Sequence, residues 1–212
     1  MQGKFVTANN ILRGPARVLY YSSTITGTGN ASTIEPTELS DILSTVAMDG
    51  AVSSGWTDFG AVDGAVVHQR EITTEEDVVE NLNAPIRNYI ISTKDIIIVN
   101  FAENSFDNLQ VAWELAGEST NSSPTPNESV IPLSVPESLT ARAIAFLYAK
   151  PDGKLRCHIF WNVTLAGVAS GMSYAKTPKA LIPVQFNAYP SLTIVDSNSE
   201  PTFGKIIEQV ST

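Results

Sequence analysis

At 212 residues, with 43% hydrophobic and 17% charged side chains, the chain is long enough to bury a core and reads as one globular domain with arms. Its net charge of −9, from 22 acids against 13 bases, argues against a protein that grips nucleic acid through clustered Lys and Arg. No apolar run is long enough to span a bilayer, the start MQGKFVTANN lacks the apolar centre of a signal peptide, and the single Cys157 cannot close an internal disulfide.

Residues 1–13 have no clear period and are expected to form an N-terminal arm. Gly14 to Tyr21 (GPARVLYY) predicts a strand, with Pro15 near its start where a missing donor does least harm. The Ser, Thr and Gly tract over 22–33 is a loop by composition. Pro36 to Ala47 places Leu39, Ile42, Leu43 and Val46 at i, i+3, i+4 and i+7, which predicts a short amphipathic helix. Gly55 to Gly60 (GWTDFG) reads as a tight strand-turn unit and Ala65 to Ile72 as the next strand.

Acid then concentrates at Glu71, Glu75, Glu76, Asp77 and Glu80. Thr73 or Thr74 could cap a helix here, but the flanking strands and Val78-Val79 favour an extended segment. A charge run of this kind is most often a solvated face, so its use depends on what the fold surrounds. Tyr89 to Phe101 (YIISTKDIIIVNF) is the most β-prone run, and Ile96 to Val99 is apolar on both faces, which implies cover on both sides. Asn104 to Ala116 is the clearest helix, with Asn104 as cap, a stripe of Phe106, Leu109, Ala112, Trp113 and Ala116, and Gly117 as terminator. A Ser/Thr/Pro loop over 118–127 and a short edge strand over 130–135 follow.

The longest regular pattern is the hairpin from Arg142 to Leu165. RAIAFLYA and LRCHIFWNVTL flank the turn residues Pro151-Asp152-Gly153. Strict alternation would put Leu155, Cys157, Ile159, Trp161, Val163 and Leu165 on one face, with Phe160 an apolar intruder on the other. The small side chains of Ala143, Ala145 and Ala149 would let a further layer approach the first strand closely. After a loop over 167–178, Ala180 to Tyr189 reads as a strand whose Pro183 suits an edge, and 192–195 as a last short one. Residues 196–212 are expected to be a C-terminal arm, with Ile206, Ile207 and Val210 hinting at a docked element.

The residue inventory points away from catalysis. His68 and His158 each read as a lone strand histidine. One Cys and two scattered His cannot make a zinc site, and neither a phosphate-cradling loop nor a nucleophile elbow is present. Asp58 and Asp63 read as solvated turn residues rather than acid-base or cation partners. No catalytic residue, metal or cofactor is expected. The fold expected at residues 14–195 is mainly β with some α, a β-barrel or two-sheet sandwich flanked by one helix at about 104–116, with extended arms and loops.

In order and spacing, GPARVLYY, GWTDFGAVDG, IIIVNFAENSFDNLQVAWEL, ARAIAFLYAKPDGKLRCHIFWNVTLAG and PVQFNAYP together resemble the major tail tube proteins of tailed bacteriophages, over roughly residues 14–190. The resemblance implies a structural virion protein, not an enzyme. It implies a protein that self-assembles into stacked hexameric rings forming the hollow tube for DNA delivery, located in the tail and, during assembly, the host cytoplasm. The implied partners are copies of itself and the tape measure, tip or baseplate and terminator proteins, with no membrane and with DNA only in transit. Arms at both ends and the 22–34 loop would reach neighbouring subunits. An acidic wall would repel the duplex within a Debye length of about 8 Å, so some of Glu71, Glu75, Glu76, Asp77 and Glu80 are expected to face the lumen. Another ring-forming tail component, such as a terminator, and an adhesive or sugar-binding β-sandwich remain open as alternatives.

Overall fold

The computed structural model describes residues 13–21, 36–78, 85–103, 105–115, 119–121, 128–133, 135, 137–166 and 181–210. The expected loop over 22–34, most of the N-terminal arm and the 167–178 loop lie outside them. Twelve strands are described: β1 (Arg13–Tyr21), β2 (Trp56–Asp58), β3 (Val67–Val78), β4 (Pro85–Phe101), β5 (Ser119–Asn121), β6 (Glu128–Val130), β7 (Arg142–Ala149), β8 (Leu155–Leu165), β9 (Ile182–Tyr189), β10 (Ser191–Val195), β11 (Pro201–Thr202) and β12 (Gly204–Glu208). One α-helix, α1 (Phe106–Trp113), follows β4. The architecture is mainly β, as expected.

Eight strands form one antiparallel sheet in the order β2-β1-β7-β8-β9-β4-β3, with β12 pairing β8 off that path. The sheet curls until its two sides meet. Past β2 the chain crosses to the end of β4, where Val62 bridges Phe101 and the Asp63 amide donates to the Asn100 carbonyl at 2.9 Å. Phe59 sits at this seam, stacked on Phe101 and tilted against Tyr20 with ring centroids 4.4 Å apart in both pairs. The enclosed core gathers Val18, Ile97, Val99, Ile144, Phe146, Phe160, Val163, Val184 and Phe186, and α1 adds Val111 and Ala112.

A second core lies on the outer face of β1, β7 and β8. There Leu39, Ile42, Leu43 and Trp56 pack on Leu19, Ala143, Ala145, Leu147, Cys157, Ile159 and Trp161. The small side chains of β7 admit this layer, as their size predicts. The 36–47 helix, however, shrinks to one 3-10 turn at Leu39–Asp41. The Asp41 carboxylate takes up the Thr37 and Glu38 amides at 2.7 and 3.0 Å, and Val46 is left exposed. Arg17 ties the layer down, bonding Asp58 at 2.6 Å and the Met48 and Gly50 carbonyls at 3.1 and 2.6 Å. Asp58 is thus an ion-pair partner rather than a solvated turn residue.

The 142–165 hairpin forms as predicted, but its faces do not alternate to the end. Arg142 pairs Val163 while Ile144 pairs Phe160, so β8 carries one extra residue and a bulge. Leu155, Cys157, Ile159 and Trp161 therefore face the second core, whereas Val163 and Leu165 turn into the first beside Phe160. Phe160 is no intruder: it is an inner-core residue.

The helix runs shorter than its sequence suggested. Ser105 is the cap, its hydroxyl accepting from the Asn108 amide at 3.2 Å, worth about 1 kcal/mol. The expected cap, Asn104, lies outside the described residues. Glu114 ends the helix with a left-handed φ of 51°, in place of Gly117. That conformation costs roughly 1–2 kcal/mol in a residue with a Cβ, and a bidentate pair with Arg142 at 2.6 and 3.1 Å offsets it. The buried positions are Asn108, Val111 and Ala112, and Phe106 is exposed.

Within the expected C-terminal arm, Gly204–Glu208 is a full strand of the main sheet, lying along the Arg156–Phe160 half of β8. The Trp161 indole donates to the Thr202 hydroxyl at 3.1 Å, and Glu208 receives Lys150 and Arg156 at 2.7 Å each. β9 is an interior strand, yet its ladder with β8 ends at Phe186, so among the described residues Pro183 has only β4 beside it. A Cβ on Gly204 would collide with the carbonyl oxygen of Ile159. Gly204→Ala is therefore expected to destabilise the fold by about 1–3 kcal/mol, read as a lower urea midpoint with an unchanged circular dichroism spectrum before unfolding.

Candidate functional site

The acid cluster lies on a ribbon that leaves the sheet. β9 pairs β4 only from Asp95 to Phe101, so among the described residues Pro85–Lys94 has β3 as its sole ladder partner. Side chains 71–76 and 87–92 are all exposed, on both faces of the ribbon. The segment is extended, as its flanks favoured. Alternation along β3 puts Glu71 and Glu75 on one face and Glu76 on the other. Glu71 stands opposite Lys94, Glu76 opposite Asn88, and Asp77 pairs Arg87 in register. The Tyr89 hydroxyl donates to Glu75 at 2.8 Å, which raises that phenol above its ordinary pKa. Glu80 lies outside the described residues. Glu71, Glu75 and Glu76 thus do not share one face, and the register sets Lys94 opposite Glu71 and Arg87 opposite Asp77.

At the root of the ribbon the structure assembles what sequence reading missed. A cavity of about 510 Å³ is lined by His68 and Arg70 of β3, His158, Ile159 and Phe160 of β8, and Phe203 to Ile206. Both histidines of the chain therefore lie in one site, although 90 positions separate them. The curl of the sheet brings them together: the His68 ring lies edge-on to Phe160 at 4.8 Å, and the Arg70 guanidinium lies 5.6 Å over the Phe203 ring. Lys205 lines the cavity without its charge, because its ammonium reaches Trp161 in the second core.

Asp95 of β4 organises this root and is 0% exposed. Arg70 bonds it through Nε at 2.8 Å and Nη2 at 2.6 Å, and His68 Nε2 contacts it at 3.0 Å. Burial is the largest single influence and pushes the carboxyl pKa up. The Arg70 and His68 hydrogen bonds and charges together outweigh it and hold the group below its ordinary value. Losing Arg70 would leave that buried carboxylate without its ion-pair partner, at a cost of about 3–5 kcal/mol. His158 has no such support. Its Nε2 is buried with no hydrogen-bond partner, and its ring lies edge-on to Tyr148 at 5.7 Å. Burial first, then the charges of His68 and Arg156, lowers its pKa below 6.5.

Among the described residues no three His, Cys, Asp or Glu side chains come together as a metal site, and no helix is long and apolar enough to cross a membrane. Cys157 lies buried in the second core, where burial pushes its thiol up to about 12. A scan against protein-family models matches none of them, and a search of curated proteins finds no similar sequence.

The lowered His158 pKa gives a signed pH dependence. Above about 6.5 folded and unfolded chains both hold a neutral ring, and His158 contributes nothing. As pH falls through that value the unfolded chain gains a proton that the folded one resists, and stability is lost. Urea unfolding at pH 7.5 and 5.5 should show the wild type weakening on acidification and His158→Phe weakening less.

Proposed function

We propose that this chain is a structural, self-assembling protein that builds stacked hexameric rings around a bore, the tail tube of a tailed bacteriophage through which DNA passes. One observation carries the self-assembly: the β3-β4 ribbon, whose ladder beyond the sheet exposes Ile72, Tyr89, Ile90 and Ile91 at 46–62% of their surface. A two-stranded ribbon on its own is marginal in water, and an apolar one wants a partner surface. β3 is also the terminal strand of the sheet order, so its outer edge can accept another strand. Further apolar side chains stand out at Leu133, Val135 and Leu192, more than 70% exposed. Copies of the same chain are the partner that the resemblance implies, with the other tail proteins meeting the ends of the tube.

The acid of the ribbon supports the conduit. Of Glu71, Glu75, Glu76, Asp77 and Glu80, those turned toward the bore would repel the duplex, and bases in their place would hold it by counterion release.

Negative-stain microscopy of the purified protein should reveal rings or tubes with a central hole. Single rings that never stack would favour a terminator, and a strictly monomeric protein would sink the reading. Ile90→Asp combined with Ile91→Asp should abolish assembly, measured by sedimentation, while leaving the far-ultraviolet spectrum of the monomer unchanged. Glu71→Lys with Glu75→Lys should leave assembly intact and slow genome passage in an ejection assay. An unaltered ejection rate would remove these acids from the lumen.

A further inference from the structure

We propose that the cavity between β3, β8 and Phe203 is a binding site for a monocarboxylate carried on a compact apolar body, such as an aromatic acid. This goes beyond the assembly reading and does not depend on it. The volume of about 510 Å³ is of the size that takes small molecules, and Phe160, Phe203 and Ile206 supply apolar walls. The polar groups that converge there are Arg70, a donor at every guanidinium nitrogen, and two imidazoles, which donate from both nitrogens once protonated. Arg70 spends Nε and Nη2 on Asp95, and its Nη1 bonds no described residue. His158 Nε2 is buried and unpartnered, and of the four such atoms among the described residues it is the one whose side chain lines the cavity.

Charge selects the ligand. Among the described residues the one carboxylate bonded to the site's side chains, Asp95, is fully buried and already paired, which disfavours a cation. Asp95 also balances Arg70, so any net positive charge left in the site is that of an imidazole. A monoanion suits that balance, whereas a phosphate dianion would need more positive charge than is present. The groups facing His158 are His68 and Arg70 from β3 and Tyr148 from β7, with Arg156 on its own strand, the apolar Ile206 opposite it on β12, and Asp95 of β4 reached only through its bonds to His68 and Arg70. A carboxylate seated beside the ring would supply the counter-charge His158 lacks. Binding then draws in a proton, and affinity rises as pH falls through the imidazole range.

The chain has only two histidines, so labelled imidazole signals report on the site directly, and His158→Phe assigns them. Titration with sodium benzoate should shift both signals saturably, and bind severalfold more tightly at pH 5.5 than at 7.5, tenfold being the ceiling for about one unit of rise in the imidazole pKa on binding. His158→Phe should remove most of that pH dependence while keeping the ring packing. Phe203→Ala, which leaves both histidines in place, should weaken benzoate by about tenfold through lost apolar contact. Benzamide, the uncharged isostere, should bind more weakly and without pH dependence. Sedimentation with benzoate separates the sources: dispersal of assemblies means another copy delivers the carboxylate, and unchanged assemblies mean a free acid does. Shifts no larger than those from equal sodium chloride, or benzamide binding as well as benzoate, would overturn the proposal.

Discussion

Two sides of one sheet meet at Phe59, between the rings of Tyr20 and Phe101. The rest of the molecule depends on that closure. A twisted antiparallel sheet left open would expose the inner faces of β1, β7, β9 and β4 to water, and α1 alone is too short to cover them. Crossing from β2 to the end of β4 converts those faces into one interior. Asn108 reinforces the join by donating to the carbonyls of Phe59 and Glu103 at 2.9 and 2.8 Å, so the helix is bonded to the seam as well as packed beside it.

Closure also explains the divided character of β4. From Asp95 to Phe101 it is a barrel strand between β9 and β3, and from Pro85 to Lys94 it is one side of a ribbon whose side chains over 87–92 are exposed on both faces. Asp95 stands at the boundary. Its buried carboxylate draws Arg70 and His68 inward, so the ribbon leaves the body from a cross-braced root rather than a hinge. A rigid root with an exposed apolar shaft suits an element meant to engage something outside its own domain.

Most strands were legible because one-sided burial writes itself as alternation, and the turn at 151–153 because its residues have few other uses. What escaped had physical causes. The bulge opposite Arg142 adds one residue to β8, and no local composition marks it, since Phe160 and Trp161 are acceptable on either face. Leucine spacing over 36–47 looked helical, yet those side chains are buried by the layer they cover, and the backbone needs only one tight turn to deliver them. Glu114 ends the helix because Arg142, far along the chain, holds it there, which overrides the glycine three residues on. The acid ribbon was visible as a charge run. The cavity was not, because His68 and His158 meet only through the strand order, and each looks ordinary in its own strand.

The extra residue in β8 makes one strand serve two cores, and it sets the arithmetic by which this sequence can drift. Losing or gaining a single position near Asn162 would swap the partners of everything from Val163 to Leu165, sending Thr164 into the apolar interior. Changes of two positions would keep the phase. Length variation among descendants of this chain should therefore be quantised in pairs along that stretch, while the 151–153 turn is free to vary by one.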